Sequence, residues 1–221
     1  MRKLTGAAFV SLDGVIQSPG GPTEDPTGGF EHGGWVFGVG DDVIDPVLSG
    51  LFDPPYALLL GRRTYDIFAA YWPFVEGEMA GMGDALTAAD KYVVTRGEQP
   101  LDWANSYRLD GITAIKALKE SDGPDLLIQG SSTLYPPLLA AGLIDELVLM
   151  TFPLVLGTGK RMFDDGTPSG AWRLLDRQFG VKGVIVTRWA PAGPVLGANH
   201  PHPSTSATEN VRQRRILNGT W

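Results

Sequence analysis

The chain has 221 residues, a formal net charge of −7, three histidines and no cysteine. Its length and its hydrophobic content of 43% fit one sizeable globular domain, with or without a tail. The acidic balance argues against nucleic acid or an anionic membrane as a bulk partner. The absence of cysteine excludes disulfides and thiolate metal sites, and with so few histidines we expect no metal site. We find no apolar stretch of membrane-spanning length and no signal peptide, so we expect a cytoplasmic protein.

The first predicted element is a central strand over residues 3–12, which is apolar and rich in β-forming residues. The small residues Gly6 to Ala8 indicate that another part of the chain packs closely against it. Residues 17–40 are rich in glycine and proline and contain Phe30, Trp35 and Phe37. A loop of this length in a compact domain is typically functional or disordered, and the aromatic residues favour a packed loop that lines a site.

The middle of the chain alternates between helical and extended patterns. A helix is predicted over 41–51, with Asp41 and Asp42 suited to its cap and Pro46 unusual within it. Further helices are predicted from residue 62 to about Tyr71 and over 76–89 and 111–120. Short strands are predicted over 55–60, 91–95 and 106–109.

Next comes a strand–turn–helix–strand unit. Leu126 to Ile128 form an apolar run typical of a strand buried on both faces. Gly130 allows a sharp turn, and Ser131 and Ser132 are of helix-capping type. The short helix ends near Gly142, and a second apolar run follows over 146–149. Amides at such a turn suit a phosphate, although an isolated Gly-Ser-Ser is more often an ordinary turn.

Residues 172–179 and 181–189 predict an antiparallel hairpin that turns near Gly180 or Gly183. The whole pattern predicts an α/β fold with a mostly parallel central sheet, flanking helices and antiparallel C-terminal edge strands. We assign 1–189 to one domain. Residues 190–221 are proline-rich, with three arginines against one glutamate, and are predicted to be a flexible extension with a short helix near 210–217.

Three predicted strands end in residues that suit a phosphate: 61–64 (Gly-Arg-Arg-Thr), 95–96 (Thr-Arg) and 130–133 (Gly-Ser-Ser-Thr). Ligands of open α/β sheets bind at the carboxyl ends of strands, so these segments are expected to converge. Arginine offers donors that match phosphate oxygens, and Arg62, Arg63 and Arg96 are therefore possible clamps. An arginine in such a position is more often a surface residue. No Rossmann G-x-G-x-x-G and no P-loop is present.

Several motifs occur in one order along residues 2–189 and together resemble the dihydrofolate-reductase-like family. That family includes the C-terminal reductase domain of riboflavin-biosynthesis deaminase/reductases. The motifs are Ser11-Leu12-Asp13-Gly14, Gly61-Arg62-Arg63-Thr64-Tyr65, Tyr71-Trp72-Pro73, Gln129-Gly130-Ser131, Gly142-Leu143-Ile144-Asp145-Glu146-Leu147 and the run from Pro153 to Phe163.

The resemblance implies a reductase fold that uses NADPH. It places Thr95 and Arg96 near the 2′-phosphate of the adenosine, the turn at 130–133 on the pyrophosphate, and residues 157–160 close by. The implied cofactor-binding residues are Gly61, Arg62, Arg63, Thr64, Thr95, Arg96, Gln129, Gly130, Ser131, Ser132, Thr133, Gly157 and Lys160.

The chain departs from the family at two places. Pyrimidine reductases of the riboflavin pathway usually carry a lysine where Ala7 stands and a glutamate where Gln129 stands, which argues against that substrate. Dihydrofolate reductases have a carboxylate after the Trp-bearing loop. Asp41 and Asp42 are candidates for this role, and Asp13 is a further catalytic candidate. Helix capping and turn formation are the alternative roles of these aspartates.

A hydride transfer mainly requires that the protein orient the nicotinamide against a flat electrophile and exclude water. Phe30, Trp35, Phe37 and Tyr65 are expected to line the substrate pocket, unless they belong to the core. The resulting hypothesis is an NADPH-dependent reductase of a small pterin- or pyrimidine-like heterocycle. The alternatives are a weak true dihydrofolate reductase and a catalytically silent nucleotide-binding protein. The resemblance and the apolar strands 146–152 and 181–187 lead us to expect a homodimer.

Overall fold

The computed structural model describes residues 1–53, 55–197 and 206–220. Its eight strands are β1 (Leu4–Ser11), β2 (Tyr56–Gly61), β3 (Lys91–Val94), β4 (Ser106–Leu109), β5 (Asp125–Gln129), β6 (Glu146–Phe152), β7 (Ala171–Phe179) and β8 (Ile185–Gly193). Its α-helices are α1 (Ile44–Phe52), α2 (Arg62–Tyr71), α3 (Ala80–Ala88), α4 (Gly111–Glu120), α5 (Tyr135–Ala140) and α6 (Ala207–Leu217).

The strands form a single sheet in the order β4-β3-β2-β5-β1-β6-β8-β7. The pairs from β4 across to β6 are parallel, whereas β8 runs antiparallel to both β6 and β7. The predicted mixed α/β sheet with antiparallel C-terminal edge strands is therefore confirmed. The β7–β8 hairpin turns through both predicted glycines, since Gly180 N–H donates to the carbonyl of Val184 and Gly183 N–H to that of Gly180.

Helices cover both faces of the sheet, and each face has its own apolar core. One core joins the sheet to α1, α2 and α3 through residues such as Val47, Tyr65 and Leu86. The other joins it to α4 and α5 through Ile115 and Leu138. This two-sided burial explains why the central strands read as continuous apolar runs rather than as alternating patterns.

The close packing that was predicted at the start of β1 is present at Gly6. A Cβ atom at this position would lie 2.7 Å from Tyr135 Cε1 and 2.9 Å from Leu147 Cδ2, so only glycine fits. The Tyr135 side chain is fully buried over the strand, and its hydroxyl donates to the carbonyl of Ala7 (3.4 Å). β1 is thus fixed between its neighbours from its first residues.

Three predicted boundaries were wrong. α1 begins at Ile44 rather than Asp41, which puts Pro46 in the first turn, where its missing N–H costs no helical hydrogen bond. The predicted helix over 76–89 is a 3₁₀ turn at Gly77–Met79 followed by α3. β8 begins at Ile185 because residues 181–184 form the hairpin turn.

The segment predicted as an extension begins inside the sheet, because β8 continues to Gly193. α6 begins three residues before the predicted helix, and the Ser206 side chain caps it by accepting from Glu209 N–H (3.1 Å). No α6 residue is buried. The predicted flexibility of 198–205 and of Trp221 concerns residues outside those described.

Candidate functional site

The ends of β2 and β5, which are neighbours in the sheet, are joined by a short chain of hydrogen bonds. Gly61 N–H donates to Ser131 Oγ (2.9 Å), and the Ser131 hydroxyl donates to Thr64 Oγ1 (2.9 Å). Gly130 and Ser131 are both left-handed, with φ of 76° and 62°, so the chain turns sharply beside Thr64. We refer to Gly61, Thr64, Gly130 and Ser131 as the strand-end cluster. Two of the three predicted phosphate segments therefore meet.

β1 and β5 separate at the level of this cluster. Their pairing ends at Ala7 and Gln129, whereas β1 remains paired with β6 as far as Ser11. The side chain of Gln129 stands at the point of separation, and its Oε1 atom is buried with no hydrogen-bond partner among the described residues. A buried acceptor without a donor is uncommon and points to a ligand or a water at this place.

Two cavities lie on either side of residues 159 and 160. The first has a volume of about 310 Å³ and is lined by Ser132, Thr133, Pro136, Gly159, Lys160, Arg161 and Asp164. The second has a volume of about 240 Å³ and is lined by Gln17, Thr27, Gly28, Phe30, Thr158, Gly159 and Lys160. The turn after β5, the long glycine-rich loop and the loop after β6 therefore meet at this edge of the sheet.

Asp13 ties the end of β1 to the loop after β6. Its carboxylate accepts from the Ser11 hydroxyl (2.6 Å) and from the N–H groups of Leu156 (3.1 Å) and Gly157 (2.9 Å), and it pairs with Arg161 (3.3 Å). The hydrogen bond from Ser11 lowers the pKa of Asp13, and burial raises it. Together with the two backbone donors, the Ser11 hydrogen bond prevails, and the pKa is about 2. These contacts are those of the turn-forming role, and Asp13 holds no proton at neutral pH.

Asp25 and Gln17 connect the glycine-rich loop over residues 17–40 to the same loop after β6. The buried carboxylate of Asp25 binds Lys160 Nζ, lies 3.6 Å from Arg63 Nη1 and accepts from the Thr27 hydroxyl (2.5 Å). The Gln17 amide accepts from Lys160 N–H (2.9 Å) and donates to the carbonyls of Asp25 (2.8 Å) and Thr27 (2.9 Å). Burial opposes ionisation of Asp25, but the hydrogen bonds from Lys160 and Thr27 outweigh it and hold its pKa below the ordinary value. We refer to Asp13, Gln17 and Asp25, with their partners at 156–161, as the loop clasp.

The arginines that were predicted as clamps differ in their contacts. Arg62 pairs with Asp66 (2.8 Å) and donates to the carbonyls of Gln99 and Pro100 (3.0 and 3.1 Å), so its guanidinium is already occupied. Arg63 is 57% exposed and has only the long contact with Asp25 among its described ion pairs. Arg96 is exposed and makes no hydrogen bond or ion pair to any residue that the structure describes. Thr95 Oγ1 accepts from the N–H of Gly97 (3.2 Å) and shapes this turn.

The four aromatic residues that were predicted for the substrate pocket do not lie together. Phe30 lines the second cavity and packs against Gly159. Trp35 is buried, with its indole N–H on the carbonyl of Gln17 (2.9 Å). Tyr65 is also buried, and its hydroxyl accepts from Trp103 N–H (2.9 Å), whereas Phe37 is 75% exposed. Only Phe30 is placed to contact a ligand in either cavity.

Asp41 and Asp42 lie away from both cavities. The Asp41 carboxylate accepts from the N–H groups of Lys182 (2.8 Å) and Val184 (3.1 Å), and Asp42 accepts from Val181 N–H (3.4 Å). They cap the turn of the β7–β8 hairpin, a contact that neither their proposed catalytic role nor helix capping anticipated. Burial disfavours the charged form of Asp41, but hydrogen bonds from the hairpin amides of Val184 and Lys182 help to outweigh it, and its pKa is lowered.

The sequence reasoning missed several residues of this edge, chiefly Gln17, Asp25, Thr27, Arg161 and Asp164. Their side chains project from loops, where no periodicity marks a residue for a site. The run Gly159-Lys160-Arg161 belongs to one of the family motifs, and this is the signal that the sequence offers for Arg161. Asp25 had none, because an aspartate in a Gly/Pro-rich segment usually forms a turn.

Two other classes of site are absent from the described ranges. No helix there is long and apolar enough to cross a membrane. No group of three or more histidine or carboxylate side chains in the same ranges could hold a metal ion.

Comparison with known proteins connects this geometry to one family. Residues 2–186 match the model of the RibD C-terminal domain. The chain is 27% identical over 163 residues to the uncharacterized protein YyaP of Bacillus subtilis (strain 168), an alignment that covers 71% of this chain and 77% of YyaP.

Solved structures share the fold at low sequence identity. A candidate riboflavin biosynthesis protein of Shewanella sp. PV-4 aligns with a TM-score of 0.65 at 18% identity, covering 86% of this chain and 99% of that one. A pyrimidine reductase-like protein of Corynebacterium diphtheriae gives 0.57 at 15%, covering 86% and 92%. Dihydrofolate reductase of Enterococcus faecalis, in complex with NADP(H), gives 0.55 at 14%, covering 86% and 96%. The fold is thus reductase-like.

Proposed function

Because the chain belongs to the RibD C-terminal domain family, we propose that it is an NADPH-dependent reductase that passes a hydride to a small heterocycle of the pterin or pyrimidine kind. The observation that carries this proposal is the separation of β1 from β5 at Gln129, beside the left-handed turn at Gly130 and Ser131. Such an opening at the carboxyl ends of parallel strands is where open α/β sheets bind their ligands.

The residues of the first cavity suit a phosphate-bearing cofactor. Ser132 and Thr133 offer hydroxyl donors from one side, and Lys160 and Arg161 offer cations from the other. These four residues would hold the pyrophosphate. Arg96, which is exposed at the end of β3, would bind the 2′-phosphate that distinguishes NADPH from NADH. An acidic protein needs such local groups to hold a polyanion.

Bound NADPH would supply the hydride, and the task of the protein is to orient the ring and to exclude water. The unpaired Gln129 Oε1 would accept an N–H group from a ring or carboxamide edge at the β1–β5 opening. Phe30 would shield the second cavity from solvent. Asp13 would keep the loop after β6 in position. It would not donate a proton, because its pKa is about 2 and the carboxyl group is ionised at neutral pH.

A nucleotide-binding protein without catalysis is the second candidate function. The observation that favours it is that Asp13 and Asp41 are both held by backbone amides, which leaves neither to protonate a substrate. The same observation counts against a true dihydrofolate reductase, whose family carries a carboxylate for the pterin.

Calorimetric titration with NADPH and NADH side by side tests the proposal. We expect tight binding of NADPH and markedly weaker binding of NADH. Oxidation of NADPH with a panel of pterins, pyrimidines and quinones then separates the reductase from the silent binding protein. If neither cofactor binds, both candidate functions are refuted. Steady turnover of dihydrofolate would instead support the hypothesis of a true dihydrofolate reductase.

We also propose that the protein is a homodimer that associates through the β7 edge. Both strands that were predicted for an edge lie inside the sheet, as β6 and β8. Among the described residues the two outer strands are β4, with four residues, and β7, with nine. Leu174, Leu175 and Phe179 are exposed along β7, and a long apolar edge strand favours pairing with another chain. Small-angle scattering should give the mass of a dimer. A monomer mass would overturn this proposal and leave the cofactor site unaffected.

A further inference from the structure

Asp25 brings together two cations that come from distant parts of the chain. Lys160 lies on the loop after β6 and Arg63 lies at the start of α2, yet both contact the same oxygen, Oδ2, of Asp25. The Asp25 side chain is 9% exposed, whereas the two cationic side chains are 31% and 57% exposed. The carboxylate is therefore the buried anchor, and the cations are the groups that face solvent.

Lys160 stands between the two cavities and lines both of them. Its ammonium group has three N–H donors, of which one binds Asp25 and one binds Thr27 Oγ1 (2.9 Å). The third has no acceptor among the described residues. Since the side chain is partly exposed, this donor is available to a ligand in the cleft.

The backbone around Asp25 is held independently of its carboxylate. The Gln17 side chain binds the carbonyls of Asp25 and Thr27 and the N–H of Lys160, and Asp25 N–H donates to the Ser18 hydroxyl (3.0 Å). A substitution at the carboxylate should therefore release the two cations while the loop keeps these other anchors.

We propose that Asp25 is a positioning residue, which aims Lys160 and Arg63 at the phosphates of the bound dinucleotide. This inference rests on the proposed function and goes beyond it, because it gives a role to a residue that would not itself touch the cofactor. Without the carboxylate the two cations repel each other, and the flexible lysine stem can leave the cleft.

The sign of the effect separates positioning from simple electrostatics. A buried negative charge close to a phosphate site opposes an anion, so its removal alone should strengthen binding of NADPH. Positioning predicts the reverse. Asp25→Asn keeps the shape of the side chain but removes its charge, and we expect it to weaken NADPH binding by about tenfold. The matched control is Asp164→Asn, because Asp164 is an exposed carboxylate that lines the first cavity and has no described ion pair with Lys160 or Arg63. Its loss should strengthen binding slightly.

The experiment measures the NADPH dissociation constant by calorimetry for the unaltered protein, Asp25→Asn, Asp25→Glu, Arg63→Met/Lys160→Met and the triple variant that adds Asp25→Asn to these two. If Asp25 acts through the two cations, the triple variant should bind no more weakly than Arg63→Met/Lys160→Met, whereas independent effects would multiply. Asp25→Glu should recover most of the affinity. Thermal unfolding shows whether each variant folds. If Asp25→Asn does not fold, the NADPH affinity of Asp25→Glu is compared with that of the unaltered protein instead.

Several outcomes would overturn the inference. Unchanged or tighter binding in Asp25→Asn would do so while the unaltered protein still binds NADPH, and the proposed function would then stand. Multiplicative effects in the triple variant would show that Asp25 acts independently of the two cations, as a general structural residue. If the unaltered protein binds no NADPH, the proposed function fails and the inference fails with it.

Discussion

The strand-end cluster and the loop clasp lie at the same edge of the sheet, but they are built differently. The cluster joins neighbouring strands with two hydrogen bonds between neutral groups, Gly61 to Ser131 and Ser131 to Thr64. The clasp joins loops about 140 positions apart in the sequence, as in the bond from Gly157 to Asp13, and uses carboxylates, cations and amides. The clasp should therefore respond to pH and salt, whereas the cluster should not.

The largest effect is expected when the clasp is broken by steric conflict. A Cβ atom at Gly159 would lie 2.7 Å from Val15 Cγ1 and 2.9 Å from Phe30 Cε2, at a φ of 115° that only glycine adopts readily. Gly159→Val should lower the free energy of unfolding by about 3 kcal/mol or more, measured by urea denaturation. Gly157→Ala is the control, since it has a φ of 76° but open space around it and should cost about 1 kcal/mol. Equal losses would mean that the loop moves aside.

Two arginines near the strand ends should differ in their effects, because only Arg96 is proposed to bind the cofactor. Arg96→Ala should weaken NADPH binding by about 2 kcal/mol, or roughly thirtyfold, and leave NADH binding almost unchanged. Arg62→Ala is the matched control, because its guanidinium is bound to Asp66 and to two carbonyls. It should lower stability without changing the ratio of the two affinities. Calorimetry decides, and equal losses for both cofactors in Arg96→Ala would refute the assignment.

The pH dependence of the clasp should be visible at Asp13. Its pKa falls from 3.8 to about 2 on folding, so its contribution to stability is complete above about pH 4 and is lost as the pH falls through about 2. Asp13→Asn should cost about 1–2 kcal/mol near neutral pH and progressively less in acid. Urea denaturation of both proteins over this range gives the difference directly. A cost that does not vary with pH would show that the charge of Asp13 is unimportant.

The smallest effect is expected in the cluster. Ser131→Ala removes the hydroxyl between Gly61 and Thr64 and should cost about 1 kcal/mol, with no dependence on pH. Ser131→Gly loses the same hydroxyl but also the strain of a side chain at a φ of 62°, which recovers about 1 kcal/mol. Thermal unfolding of the pair separates the two contributions. If the glycine variant is no more stable than the alanine variant, the turn is not strained.

The difference between the regions also explains what the sequence could predict. The sheet and the strand-end cluster follow from local patterns, because apolar runs followed by Gly-Arg-Arg-Thr or Gly-Ser-Ser identify strands and the turns that end them. Parallel strands then bring those turns to one edge.

The clasp could not be obtained in this way. The partners of Asp13 and Asp25 are decided by which loops meet, and loops carry no periodicity. Asp41 shows the same limitation, because its carboxylate binds a hairpin turn some 140 positions later in the chain. Trp35 and Tyr65 were expected in a pocket and are buried in the core, since an aromatic residue looks the same in either setting at the level of sequence.

The position of β1 has a consequence for the synthesis of the protein. Both neighbours of this first strand come late in the chain: β5 begins at Asp125 and β6 ends at Phe152. On a ribosome that adds about 5–20 residues per second, β1 therefore waits on the order of ten seconds for its second partner. Lys160, on which the proposed cofactor site depends, follows the end of β6 by eight residues and is synthesised later still. An apolar segment that stays unpaired for so long is a natural target for chaperones.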